Sequence, residues 1–336
     1  MFFNFWGDKM SKPLIYVTSE IPEKGLEILR EEFEIKANKT GKTLSKNELI
    51  SEAKEADALL PLLSDEIDSK VMDQLNNLKV IANYAVGYNN IDVEAATERN
   101  IIVSNTPDVL TETTADLTWG LLLATARRIV ETDKILRRGD FKGWAPKLLL
   151  GQEVNHKTLG IIGFGRIGKA VAKRAQGFNM KVLYNKRNRL DKESEKKLNV
   201  EYKDFENILK EADYISINTP LNDSTYHLFE KEEFDLMKDN GIIINTGRGP
   251  IINEKELVKA LENEKIGGAG LDVYENEPEV EEGLLKFDNV VLTPHIGSAT
   301  YQARDKMAEL AAKGAIAGYK REYVSNIINQ EILNNK

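Results

Sequence analysis

The chain contains no cysteine. That excludes disulfide bonds, thiolate metal ligands and a cysteine nucleophile, and it suits a reducing compartment. Histidine is scarce as well: His156, His227 and His295 are the full supply for acid–base chemistry, and no metal-ligand spacing stands out. No apolar stretch approaches the roughly 20 residues that span a bilayer, so no membrane partner is expected. A formal net charge of −8 and the lack of any long basic run argue against a nucleic-acid partner. The opening Met1-Phe-Phe-Asn-Phe-Trp-Gly-Asp-Lys-Met10 has neither the basic region nor the apolar core of a signal peptide. It reads as a short tail, or as residues ahead of a natural start at Met10. The expectation is a cytoplasmic protein.

What remains is an ordinary globular composition, 41% hydrophobic over 336 residues, which suggests two domains at about 100–200 residues each. Strand patterns at 14–17, 58–63, 80–84 and 101–104 alternate with helical patterns at 23–32, 46–56, 69–75 and 92–100. The rhythm then repeats, with strands at 159–163, 181–184, 214–217, 242–245, 269–273 and 290–293. Helices at 166–176, 205–212, 231–237 and 254–262 separate most of these. Such alternation implies crossovers and parallel sheets, an α/β fold. Two patterns are longer, Thr113 to about Arg137 and Thr300 to about Lys320, with apolar residues at helical spacing. They suit hinge elements between two α/β domains, either sequential or discontinuous.

One stretch has a specific chemical reading. Leu159, Ile161 and Ile162 form a short apolar run, Gly163-Phe-Gly165-Arg166-Ile167-Gly168 turns, and Lys169 to Ala175 continues as a good helix former. In a dinucleotide site Gly163 makes the tight turn, Gly165 lets backbone approach the pyrophosphate, and Gly168 allows close helix–strand contact. The helix N-terminus then aims N–H groups and a positive dipole end at the phosphates.

A bound nicotinamide needs a proton donor or acceptor beside it, and histidine is the usual choice. His156 lies on a polar step and reads as a surface residue, while His227 sits among apolar neighbours and reads as structural. His295 directly follows a strand and precedes Gly297-Ser298, where α/β sheets place ligands. Two other strand ends reach the same edge. Thr246-Gly247-Arg248-Gly-Pro250 presents a guanidinium in a glycine-flanked turn, and its planar fork suits a carboxylate. Asp272-Val-Tyr-Glu-Asn-Glu277-Pro places Asp272 and Glu277 after the next strand. A carboxylate beside His295 would favour the imidazolium, a proton donor for reduction.

Together Asn245-Thr-Gly-Arg-Gly-Pro250, Gly270-Leu-Asp-Val-Tyr-Glu-Asn-Glu-Pro278 and Leu292-Thr-Pro-His-Ile-Gly-Ser-Ala299 resemble the signatures of the D-isomer-specific 2-hydroxyacid dehydrogenases. The resemblance runs from Pro13 to the last helix. It implies that Arg248 binds the 2-oxo acid, that His295 is the acid/base and that Glu277 is its paired carboxylate. It implies two Rossmann-like domains: a discontinuous, flavodoxin-like substrate domain of 1–108 plus 299–336, and a nucleotide domain of 109–298 inserted between. It further implies a homodimer held by the helix that begins near Thr113. Within the family the chain looks most like the glyoxylate/hydroxypyruvate reductases, on Ala82-Asn-Tyr-Ala-Val-Gly-Tyr-Asn-Asn-Ile-Asp92, Ser104 to Leu117 and Gly143-Trp-Ala-Pro146. That likeness implies a small 2-oxo or 2-hydroxy acid held by the backbone N–H groups of Val86 and Gly87, an anion nest in physical terms. Leu60, Leu62 and Trp144 would wall its pocket. For the cofactor it adds Arg166, Ile167, Thr219, Thr246, Gly247 and Gly297 to the glycines, with Thr114 and Asp272 near the nicotinamide. D-lactate or phosphoglycerate chemistry is the alternative on this scaffold, and a dinucleotide-sensing interaction module is the alternative of another class.

NAD sites hold the ribose with an acid about 20 residues beyond the glycines. Here the second strand runs into Tyr184-Asn-Lys-Arg-Asn-Arg189, with Lys186, or Asn185 on a one-residue slip, where NAD-type members carry Asp. Lys186, Arg187 and Arg189 would instead suit a 2′-phosphate, so NADP(H) is favoured and NAD(H) is the alternative.

Overall fold

In the computed structural model, which describes residues 12–333, every paired strand runs parallel to its neighbour. The segment 1–10, and with it the question of the natural start, lies outside the described residues. The chain divides into two units, one running to Leu110 and resuming at Thr300, the other covering Thr111–Ala299.

The first unit carries β1 (Leu14–Val17), α1 (Glu23–Glu32), β2 (Glu34–Ala37), α2 (Lys46–Ala53), β3 (Ala58–Leu60), α3 (Ser69–Gln74), β4 (Val80–Ala82), α4 (Val93–Glu98) and β5 (Ile102–Ser104). Its sheet has the order β2-β1-β3-β4-β5, the doubly wound order of flavodoxin-like folds. Strands β3, β4 and β5 are buried along their whole length, as strands of a parallel sheet covered on both faces usually are. Side caps start the helices: Ser45 and Glu48 form a reciprocal capping box on α2, and Asp68 and Asp92 accept the Val71 and Ala95 N–H groups. One sheet face is covered by Met307, Ala308, Ala311, Ala312 and Ala315 of the long C-terminal helix together with Leu29 and Phe33. Small residues bring that helix close. A Cβ on Gly25 would lie 2.7 Å from the Ala308 Cβ.

The second unit carries α5 (Thr111–Ala126), α6 (Ile129–Arg137), β6 (Thr158–Ile162), α7 (Arg166–Ala175), β7 (Lys181–Asn185), α8 (Lys192–Leu198), β8 (Glu201–Tyr202), α9 (Phe205–Glu211), β9 (Tyr214–Ile217), α10 (Lys231–Leu236), β10 (Ile242–Asn245), α11 (Glu254–Glu262), β11 (Gly268–Leu271) and β12 (Val290–Leu292). The chain then re-enters the first unit through α12 (Tyr301–Lys320), capped by Thr300. The seven strands order as β12-β11-β10-β9-β6-β7-β8. The order reverses between β6 and β9, and the crevice beyond the carboxyl ends of those two strands is where open α/β sheets bind ligands. Two apolar cores, one per sheet face, fix these strands; fully buried residues such as Ile215, Ile243 and Leu257 stabilise them by about 1.5–3 kcal/mol each.

The α/β class and parallel sheets agree with the sequence reading. Several details differ. The pattern from Thr113 to Arg137 is two helices, because Arg128 adopts the left-handed conformation at φ 54° and stops α5. Its guanidinium is held by both oxygens of Glu131, at 2.7 and 2.8 Å, and by the Leu150 carbonyl. Three elements were not anticipated. β2 is a half-exposed edge strand of only four residues, β8 has two residues, and α8 is almost wholly polar, nucleated by the Asp191 cap on the Ser194 N–H. Among the described residues no helix is long and apolar enough to cross a membrane.

Candidate active site

The three glycines of the β6–α7 turn show three different constraints. Gly163 has φ +90°, and a Cβ there would lie 2.5 Å from the Asn218 carbonyl carbon and the Thr219 nitrogen. The turn thus presses on the chain leaving β9, at the point where the strand order reverses. A Cβ on Gly168 would strike the Gly163 carbonyl oxygen. Gly165 is the opposite case: its Cβ would meet nothing within 4 Å, and no side chain caps the helix it begins. Open space over an uncapped helix N-terminus fits a phosphate group. Arg166 is exposed and Ile167 half-buried beside it. Thr219, half-buried, follows on the facing strand end. Gly247 packs under it, with its Cβ position 3.2 Å from the Thr219 carbonyl, and Thr246 shares a 2.8 Å hydroxyl hydrogen bond with Thr118. The groups present therefore fit a dinucleotide across the β6/β9 crevice.

Beyond β7 the cations separate. Lys186 is half-buried and Arg187 exposed, and neither has a partner among the described residues. Arg189 does not join them. Its guanidinium makes two 2.8 Å hydrogen bonds to the Glu195 carboxylate and lies 5.2 Å from the Tyr202 ring centroid. A bidentate pair of this kind already satisfies the fork that a phosphate would need, so Arg189 is withdrawn from the cofactor set.

The β10, β11 and β12 carboxyl ends carry the chemical groups. Asn245 ends β10 and ties its own turn: its Nδ2 donates to the Arg248 carbonyl at 2.9 Å, and its Oδ1 accepts the Gly247 N–H at 3.0 Å. The Arg248 Nη1 donates to the Gly247 carbonyl at 2.8 Å, and burial draws the guanidinium below its ordinary value while Glu277 opposes that shift. The next glycine decides the approach, since a Cβ on Gly249 would collide with the Tyr274 carbonyl. The Arg248 turn can therefore lie directly against the 272–277 loop.

Glu277 sits at the end of that loop. One oxygen accepts the Tyr274 N–H at 3.1 Å, and the other is 2.9 Å from His295 Nδ1. Burial pushes this carboxyl up, but His295, the Tyr274 N–H and Arg248 outweigh it and hold it below the usual glutamate range. An ionised Glu277 accepts from Nδ1–H, which fixes the tautomer and leaves Nε2 to face a substrate. His295 itself adopts φ 52°, a conformation uncommon for a residue with a Cβ and frequent at functional turns.

Asp272 holds that turn in place. It is 1% exposed, and its Oδ1 accepts the Thr293 hydroxyl at 2.6 Å and the Ile296 N–H at 2.8 Å, while Oδ2 accepts the Gly297 N–H at 2.8 Å. Burial pushes its carboxyl up against the pull of these donors and of His295. Thr114, at the start of α5, donates to the Gly297 carbonyl at 3.1 Å. The two backbone N–H groups that follow His295 are thus both tied to one buried carboxylate.

The other candidates are placed as follows. In the first unit Val86 and Gly87 are half-buried in the turn after β4, and neither N–H has an acceptor among the described residues. Leu60 is fully buried within the core beside Val17, Ala82 and Tyr84, so its side chain cannot wall a pocket; Leu62 is half-buried. Trp144, in the second unit, is 84% exposed. His156 is exposed, and His227 pairs with Glu275 at 2.8 Å rather than packing in a core. Sequence reasoning passed over Asn83, Asn105 and Asn218, which each sit just beyond the carboxyl end of a strand. An asparagine directly after an apolar strand was the available signal.

Comparison with known proteins adds an independent line. Residues 119–297 match the family model described as D-isomer specific 2-hydroxyacid dehydrogenase, NAD binding domain. The chain is 49% identical over 326 residues to a glyoxylate reductase of Thermococcus litoralis, covering 96% of this chain and 98% of that one. A solved protein of Thermus thermophilus superposes with a TM-score of 0.87 at 43% identity, covering 94% of this chain and 99% of the other. The NADPH-dependent glyoxylate/hydroxypyruvate reductase of Sinorhizobium meliloti, solved with NADP and malonate, gives a TM-score of 0.85 at 32% identity, with 95% and 98% covered.

Proposed function

The chain belongs to the D-isomer-specific 2-hydroxyacid dehydrogenase family, an oxidoreductase acting on small 2-oxo acids, and from that premise we propose that it reduces glyoxylate and hydroxypyruvate. The observation that carries this reading is the 2.9 Å contact between Glu277 and His295 Nδ1, on the sheet edge that also presents Arg248. When bound, the reduced nicotinamide supplies a hydride to C2 of the substrate. His295 Nε2 gives the proton that the carbonyl oxygen takes up, and Glu277 stabilises the imidazolium before transfer. Such acid catalysis contributes about a hundred- to ten-thousandfold in rate. Arg248 offers N–H donors to the substrate's carboxylate and carbonyl oxygen, in a desolvated setting where they act strongly. The Val86 and Gly87 N–H groups hold the carboxylate.

For the cofactor, Lys186 and Arg187 receive a 2′-phosphate, which makes NADPH the preferred partner. Their lack of other partners supports this, as does the NADPH dependence of the Sinorhizobium relative. The chain assembles as a homodimer through an apolar strip on α6 and the segment after it. Ile129, Leu136, Phe141, Trp144 and Leu150 are all exposed there, a larger grouping than isolated surface hydrophobics make.

Steady-state rates with glyoxylate, hydroxypyruvate, pyruvate and 3-phosphohydroxypyruvate, each with NADPH and NADH, test the reading. The highest kcat/KM is expected for glyoxylate or hydroxypyruvate with NADPH. No turnover with any 2-oxo acid would overturn the activity, and a clear NADH preference would overturn the cofactor assignment alone.

A further inference from the structure

The turn that presents Val86 and Gly87 is fixed from behind by buried amides. The Ala85 carbonyl accepts the Thr106 N–H at 2.8 Å, the Val86 carbonyl accepts Asn105 Nδ2 at 2.7 Å, and the Gly87 carbonyl accepts Asn83 Nδ2 at 2.8 Å. Because a trans peptide is planar, its C=O and N–H point in opposite directions. Holding the Ala85 oxygen inward therefore turns the Val86 N–H outward, and holding the Val86 oxygen inward turns the Gly87 N–H outward. Neither N–H has an acceptor among the described residues, and both residues are half-buried rather than hidden.

The amides that do this are themselves braced. Asn83 is fully buried and exchanges hydrogen bonds with Asn90, whose Nδ2 also donates to the Leu62 and Asp65 carbonyls at 3.0 and 3.1 Å. The Asn105 backbone is clamped on both sides by Asn326, through Asn105 N–H to the Asn326 carbonyl and Asn326 Nδ2 to the Asn105 carbonyl. Its side chain is left with one structural partner among the described residues, the Val86 oxygen.

We propose that Asn105 is a positioning residue for substrate binding: it latches the Val86–Gly87 peptide so that the Gly87 N–H stays aimed at the substrate carboxylate. This rests on the reading that the carboxylate is held at that turn. With the latch gone the peptide can rotate and present an oxygen in place of a hydrogen-bond donor. The affected contact is to the carboxylate, which is the same in ground and transition state. The loss therefore falls on KM rather than on kcat.

The test is steady-state kinetics on the full-length enzyme carrying Asn105→Ala and, separately, the isosteric Asn105→Asp. Either change removes the donor to the Val86 oxygen. KM for glyoxylate is expected to rise about tenfold or more, the scale of one hydrogen bond to a charged group. kcat should change much less, and the NADPH dissociation constant, set in the other unit, should stay put. An unchanged glyoxylate KM in both variants overturns the proposal, and so does a fall in kcat together with weakened NADPH binding. Val86→Pro separates the two layers, since it deletes one of the donors without removing any bond present in the structure. If Val86→Pro leaves KM unmoved, the carboxylate reading fails; if it raises KM while both Asn105 variants do not, the latch alone fails.

Discussion

Replacing Asp272 by Asn tests how His295 is held. The carboxylate accepts three donors, from Thr293, Ile296 and Gly297, at 2.6–2.8 Å, and it is almost fully enclosed. An amide has the same shape but one acceptor oxygen. Whichever way it is turned, its NH2 faces at least one backbone N–H of the turn that follows His295. A buried hydrogen bond to a charged group contributes about 1.5–3 kcal/mol, so losing one should displace the φ 52° turn and lower kcat by about 10- to 150-fold. The assay is kcat at saturating NADPH and glyoxylate, with the NADPH dissociation constant measured by fluorescence titration. The reasoning gives a large fall in kcat with a small change in cofactor binding. It is refuted if Asp272→Asn keeps its kcat and instead loses cofactor affinity, because the carboxylate would then serve the nicotinamide and not the turn.

Gly165→Ala should leave the melting temperature unchanged, since its Cβ enters open space, while weakening NADPH binding; Gly168→Ala should lower the melting temperature, because its Cβ meets the Gly163 oxygen. Lys186→Ala with Arg187→Ala should raise KM for NADPH and leave KM for NADH nearly unchanged, whereas Arg189→Ala, which breaks the Glu195 pair, should affect stability more than cofactor choice. Leu136→Asp in the exposed strip should shift the mass seen by light scattering toward a monomer. Glu277 ionises below the usual glutamate range, so the stability it lends is complete above the unfolded value of about 4.3 and is lost as pH falls through the depressed folded value. The melting-temperature gap between wild type and Glu277→Gln should accordingly be widest near neutrality and narrow in acid.

Much of this was legible in the sequence because the responsible residues obey local rules. The Gly163–Gly168 turn announces its strand and its helix, and Arg248, Glu277 and His295 each sit within a few residues of a strand end. What escaped depends on how side chains pair once the chain has folded. Nothing near Arg189 says that Glu195 holds it across the start of α8, or that Arg128 would turn left-handed to meet Glu131. Leu60 was expected to wall the pocket on the family likeness alone, yet its side chain packs into the core beside Val17, Ala82 and Tyr84. Edge strand β2 is too short for its alternation to stand out and polar helix α8 carries almost no apolar pattern, so β2 is set by pairing with β1 and α8 starts at its Asp191 cap.

The most direct measurement is the glyoxylate-dependent oxidation of NADPH by the wild-type enzyme and by His295→Ala, with the NADPH dissociation constant determined for both. The account gives a wild type that turns over glyoxylate and a variant slower by at least about a hundredfold, with cofactor affinity nearly unchanged. A His295→Ala enzyme that retains its turnover would contradict it.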